Sequence, residues 1–130
     1  MKGFVRSLEP IVQIVVRGTN GQRWQINAVI DSGATCELTL SRQLIQDFGL
    51  KWTDRATALL AGDGSVTSEV YEAAIEWNGR VRPIVVHEMD GTPLIGMRLL
   101  EGFRVLIDVK EGGAVEVISL DQLSQLEDKT

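Results

Sequence analysis

The strongest constraint on the fold is a run of period-two alternations cut at intervals by tight-turn residues. Trp24, Ile26, Ala28 and Ile30 alternate with Gln25, Asn27 and Val29, behind a β-branched run over residues 10–17 and the turn signal Gly18-Thr19-Asn20-Gly21. Successive side chains of a strand face opposite sides and Asn-Gly suits the tight turn between strands, so this segment reads as a hairpin. A second hairpin is predicted from residues 56–61, the turn Gly62-Asp63-Gly64-Ser65 and the alternating Tyr71, Ala73, Ile75 and Trp77. Asn78-Gly79 then leads into Val81–Val86, where Pro83 implies an edge position or a bulge. Phe103, Val105, Ile107 and Val109, the turn Glu111-Gly112-Gly113, and Val115 and Val117 predict a third hairpin over residues 103–119.

Helical signals are few. Ser41 suits an N-cap, Leu44, Ile45 and Phe48 share one helical face, and Gly49 suits the C-terminal stop. A shorter helical stretch runs from Met97 to Glu101 and closes at Gly102, and residues 121–130 read as a frayed polar helix or tail. The expectation is one domain over residues 1–130, all-β with one or two short helices. A chain of 130 residues with 44% hydrophobic side chains can bury a core without staples.

Composition narrows the chemistry. Thirteen Lys and Arg against 18 Asp and Glu give a net charge of -5, which offers no footprint for a phosphate backbone, so no nucleic-acid partner is expected. Ala58 to Ala61 is the longest apolar run, far short of the ~20 residues that span a bilayer, and no secretory core follows the N-terminus; no membrane partner and a cytoplasmic location are expected. With one cysteine, Cys36, and one histidine, His87, neither an intrachain disulfide nor a Cys/His zinc site can be completed.

Asp31-Ser32-Gly33 consists of residues that turns prefer, and alone it is a weak signal. Its context is more specific. The apolar strand end Ala28-Val29-Ile30 runs into it and Ala34-Thr35 follows; further on, Leu94-Ile95-Gly96 opens the helix through Leu99 and Leu100. In this order the two segments resemble the retropepsin-like aspartic proteases, in particular their small bacterial and archaeal members. The resemblance runs from about Ile11 to Leu100. It implies a closed β-barrel of the acid-protease type with Asp31 as the catalytic aspartate. Ser32 would supply the loop hydroxyl that bonds across to a partner loop, Gly33 and Ala34 would line the cleft, and Gly62, Asp63 and Gly64 would form the tip of a flap hairpin over about residues 56–77. Thr35 and Met97 stand where the retroviral pattern has an acidic residue and an arginine, a paired departure that points away from the viral branch.

The implied chemistry is peptide-bond hydrolysis by an activated water. One carboxylate takes a proton from water while a second, protonated, donates to the peptide carbonyl. One chain carries one such loop, so the resemblance implies a two-fold homodimer with an Asp31 from each subunit, a peptide or protein substrate, and no metal or organic cofactor. The alternative is a catalytically silent dimeric peptide-binding module on the same fold; a third reading is a non-protease β domain with a chance resemblance.

Other residues carry plainer readings. Gly62-Asp63-Gly64 does not open a dinucleotide fingerprint, because Thr67 occupies the third glycine position. His87 is expected to be packed or on the surface, Cys36 to be a small buried hydrophobe, and Trp24, Trp52 and Trp77 to belong to the core.

Overall fold

The computed structural model describes residues 1–59 and 65–128. The first hairpin joins β2 (Glu9–Arg17) to β3 (Arg23–Ile30), paired antiparallel from Ile11↔Val29 to Arg17↔Arg23. After the short β4 (Leu38–Leu40), Ser41 caps α1 (Arg42–Phe48) by accepting the Leu44 N–H, and Gly49 ends it in the left-handed region at φ 64. Trp24 stacks on Phe48 with ring centroids 4.9 Å apart, which fastens α1 against β3.

Next come β5 (Lys51–Leu59), β6 (Ser65–Trp77) and β7 (Arg80–Glu88), an antiparallel meander. Asn78 and Gly79 both take positive φ in the turn between β6 and β7, as a type I′ hairpin requires. Pro83 lies on β7 opposite Ala74, before the stretch where β4 joins the other edge at Val86; it withholds a donor where no strand needs one. The two-residue β8 (Leu94–Ile95), the short α2 (Met97–Leu100), the paired β9 (Phe103–Ile107) and β10 (Ala114–Ser119), and α3 (Leu120–Asp128) follow.

A strand preceding these, β1 (Lys2–Arg6), is absent from the sequence-based expectation. It pairs with β2 and β10. Its turn uses Ser7 and Leu8 at φ 51 and 62, neither of them a Gly, Asn or Asp that favours the left-handed region, so the hairpin carries no tight-turn signature. Among the described residues the structure raises the helix count to three: the C-terminal segment is helical from Leu120, with Leu123 half-buried and the polar residues around it exposed. β5 begins at Lys51 rather than near Arg55, because a register shift between Trp52 and Asp54 breaks the alternation there. Trp52 is likewise not a core residue. It is 52% exposed on β5, its indole donating to Glu69 Oε2 at 2.6 Å.

The chain is mostly β with few short helices. Ten strands lie in the order β5-β6-β7-β4-β8-β3-β2-β1-β10-β9, and β6 also pairs with β2. That extra pairing links β6, β7, β4, β8, β3 and β2 into a cycle, with the outer edge of β2 divided between β1 at residues 9–12 and β6 at residues 15–17. One apolar core fills the interior, including Val12, Ile14, Val16, Ile75, Ile84, Val86, Ile95, Leu99, Val115 and Val117. Among the described residues no helix is long and apolar enough to cross a membrane.

Glu76 clamps the point where β6 meets β2. Its carboxylate accepts from Arg23 at 2.6 and 2.8 Å and from Arg17 Nε at 3.2 Å. These hydrogen bonds, Arg23 first, hold its carboxyl down to about 2, so the stabilisation is present above the ordinary value of 4.5 and is lost as pH falls through about 2. Glu76→Gln should therefore flatten the fall in melting temperature between pH 4.5 and 2 relative to the parent chain, measured by circular dichroism.

Candidate active site

The Asp31 loop is built by a two-residue strand wedged between two others. β8 runs parallel to β3 through Val29↔Leu94 and Ile30↔Ile95, and antiparallel to β4 through Leu38↔Ile95 and Thr39↔Leu94. The Asp31 N–H donates to the Ile95 carbonyl at 2.9 Å, extending the β3–β8 ladder by one bond into the loop. Within the loop the Ala34 N–H donates back to the Asp31 carbonyl at 3.1 Å, and the Gly33 N–H donates to Asp31 Oδ1 at 2.9 Å, an Asx-type closure that orients the carboxylate.

The segment after β8 locks the far side of the loop. Gly96 N–H donates to the Glu37 carbonyl at 3.0 Å, Met97 N–H to Ala34 at 2.8 Å and Arg98 N–H to Cys36 at 3.3 Å. At Gly96 a Cβ would fall inside van der Waals contact with the Cys36 carbonyl, so the two backbones approach this closely only because the residue has no side chain. Thus Leu94-Ile95-Gly96 and the Asp31 loop, which the sequence links only by analogy, are hydrogen-bonded neighbours.

Asp31 is half-buried while Ser32 and Gly33 are exposed and Ala34 is half-buried. No ion pair engages Asp31 among the described residues. Gly62, Asp63 and Gly64 lie outside the described residues. Among the described residues no three His, Cys, Asp or Glu side chains converge to hold a metal ion.

Two buried polar residues behind the loop escaped the sequence reading. Thr39, 1% exposed, accepts the Leu94 N–H on Oγ1 at 3.0 Å. Glu37 accepts the Val85 N–H on Oε1 at 2.9 Å and Arg82 Nη2 on Oε2 at 3.0 Å, so both carboxylate oxygens are satisfied. A threonine flanked by two leucines in a three-residue strand buried on both faces is the one available signal, since such a hydroxyl needs an internal partner.

Cys36 is half-buried rather than a fully buried hydrophobe. Burial pushes its thiol up, and the charges of Asp31 and Glu37 add to that, which favours the protonated form. His87 is half-buried, with Nδ1 3.0 Å from Ser68 Oγ; burial pushes its ring below the ordinary value of 6.5 and leaves it neutral. The two side chains line one cavity of about 410 Å³ with Thr35, Glu37, Val85 and Arg98. A larger cavity of about 610 Å³, lined by Ala73, Ala74, Pro83 and Ile84 among others, contains no residue of the Asp31 loop.

Among solved structures the chain is similar to an EIAV protease complexed with the inhibitor HBY-793, at TM-score 0.50 and 16% identity, covering 75% of this chain and 91% of that one. It is also similar to a retropepsin-like aspartic protease from Rickettsia conorii, at TM-score 0.46 and 18% identity, covering 88% and 99% of the two chains. No family model and no curated protein matches the chain. The first of the two likenesses establishes a retropepsin-like fold.

The wedge predicts an asymmetry between two conservative changes. Thr39→Val leaves the Leu94 N–H without its acceptor and should cost about 1–3 kcal/mol in urea unfolding, with faster amide exchange at Leu94. Thr39→Ser retains the hydroxyl and should keep that amide protected.

Proposed function

We propose that the chain is an aspartic endopeptidase whose closed β-barrel works as a two-fold homodimer. The single observation that carries this reading is the state of Asp31: its carboxylate is oriented by Gly33 N–H, tied through its backbone to Ile95, free of any ion pair among the described residues, and bordered by the exposed Ser32 and Gly33. The retropepsin-like fold supports the same reading.

In the dimer two Asp31 carboxylates meet across the axis, where two like charges in contact share one proton. The ionised member draws a proton from a water bound between them as that water's oxygen attacks the peptide carbonyl carbon. The protonated member donates to the carbonyl oxygen, giving a neutral tetrahedral diol. The newly protonated member then returns its proton to the amide nitrogen while the other carboxylate takes one from a diol hydroxyl; the C–N bond breaks, the products leave as an amine and a carboxylic acid, and the dyad regains its single proton. Ser32 contributes a hydroxyl across the axis and Gly33 and Ala34 line the cleft. Gly62, Asp63 and Gly64 are the proposed flap tip, which closes over an extended peptide. Neither metal nor organic cofactor takes part, and the site of action is the cytoplasm.

Asp31→Asn should abolish cleavage of a peptide library while leaving the melting temperature close to that of the parent chain; undiminished turnover in that variant sinks the proposal. Because the mechanism needs two loops, specific activity should fall on dilution together with the dimer fraction measured by sedimentation, and excess Asp31→Asn chains should poison the parent enzyme through mixed dimers. Ser32→Ala removes a bond worth about 1–3 kcal/mol at each of its two copies and should move the dilution midpoint to higher protein concentration. A silent peptide-binding module would bind library peptides and release them intact.

A further inference from the structure

Asp31 accounts for a hydrolytic step but gives the site no preference among peptides. The cavity of about 410 Å³ lined by Thr35 and Cys36, a few residues beyond Asp31 in the chain, can supply one. We propose that this cavity is a subsite for an acidic side chain of the substrate, held by the guanidinium of Arg98; the inference rests on the peptide-cleaving reading above.

The position follows from chain geometry. Thr35 and Cys36 line the cavity and stand four and five residues beyond Asp31, and four residues of chain reach at most about 14 Å. An extended peptide advances about 3.3 Å per residue, so the cavity lies within about four residues of a bond held at Asp31. The backbone bonds of Met97 to Ala34 and of Arg98 to Cys36 tie the backbone of Arg98 to the same loop, so the root of its side chain is held near the reacting centre.

The charge of the lining selects the ligand. Thr35, Cys36 and Val85 are neutral, and His87 is held neutral by its burial. The Glu37 carboxylate is consumed by Arg82 and the Val85 N–H. Arg98 is exposed and enters no ion pair among the described residues, whereas Arg17, Arg23, Arg55 and Arg82 each hold a glutamate. An unengaged planar donor lining a cavity whose other charges are cancelled matches a carboxylate, which it can hold with two parallel hydrogen bonds. Arg98 also borders a second cavity with Thr35, Met97 and Glu101. There the Glu101 carboxylate would repel an acidic group, so the first cavity is the one assigned.

The test compares peptide pools that differ only in Glu against Gln at single positions within four residues of the cleaved bond. The parent chain should give a kcat/KM ratio of about tenfold in favour of Glu at one position. Arg98→Ala should bring that ratio near one, Arg98→Glu should invert it, and Arg98→Lys should restore part of it. Cleavage that depends on Asp31 but shows no Glu preference, or a preference indifferent to Arg98, overturns the inference and leaves the protease reading standing. The same fluorescein-labelled pools are titrated onto Asp31→Asn chains. If the parent chain cuts nothing, Arg98-dependent binding of the Glu pool keeps the subsite and removes proteolysis; absence of both cleavage and that binding overturns the two together.

Discussion

The two-residue strand β8 is hydrogen-bonded on both edges, to β3 on one side and β4 on the other, and the Gly96 backbone presses against the Cys36 carbonyl directly after it. Among the described residues, the backbone hydrogen bonds that reach the Asp31 loop from outside come from this segment or the turn of helix that continues it. Its side chains bind it to the interior as firmly as its backbone binds it to the sheet. Ile95 and Leu99 are fully buried, and truncating a buried residue of this size costs about 2–5 kcal/mol. The loop is thus tied to the core through β8 and α2, and a loop so tied can hold a proposed reacting group in one geometry.

The same wedge explains the mixed strand directions. A mostly antiparallel fold acquires two parallel pairings, β3 with β8 and β4 with β7, because both β3 and β4 are brought alongside segments that arrive from the far end of the β5–β7 meander. On the opposite side, β2 serves two neighbours along one edge, and the Glu76 clamp sits where the second of them arrives. The outermost strands β5 and β9 keep free edges that carry Lys51, Asp54, Arg55 and Arg104, charges that discourage further strand addition.

Period-two patterning made the hairpin of β2 and β3 legible, and the Ser41 and Gly49 caps made α1 legible, because in each case the local signal and the tertiary requirement agree. The reading failed where they part. Ser7 and Leu8 turn the chain in the left-handed region without the Gly, Asn or Asp that favours it, so β1 is imposed by its partners β2 and β10 rather than announced. The register shift at Trp52 conceals the start of β5 and turns an aromatic residue outward. In the site, Asp31, Ser32, Gly33 and Ala34 could be read as one motif because they are contiguous. Thr39 and Glu37 could not, since their roles depend on Leu94, Arg82 and Val85, which only the fold brings near.

The carboxylates of this chain illustrate how environment assigns a role to one functional group. Glu37 is buried and therefore had to be saturated, by an arginine and a backbone N–H. Glu69 and Glu76 lie on the sheet surface and are still committed, Glu69 to Trp52 and Arg55 and Glu76 to Arg17 and Arg23; in both cases the hydrogen bonds hold the group below the ordinary carboxylate range. A carboxylate so committed is a poor proton carrier, because protonation sacrifices the bonds that hold it. Asp31 differs in kind: one backbone N–H orients it, no cation neutralises it among the described residues, and the loop around it is open to solvent. Among the described residues no arginine pairs with it, and the group keeps acceptor capacity unused. In the proposed dimer the partner that completes it is the same loop of a second chain.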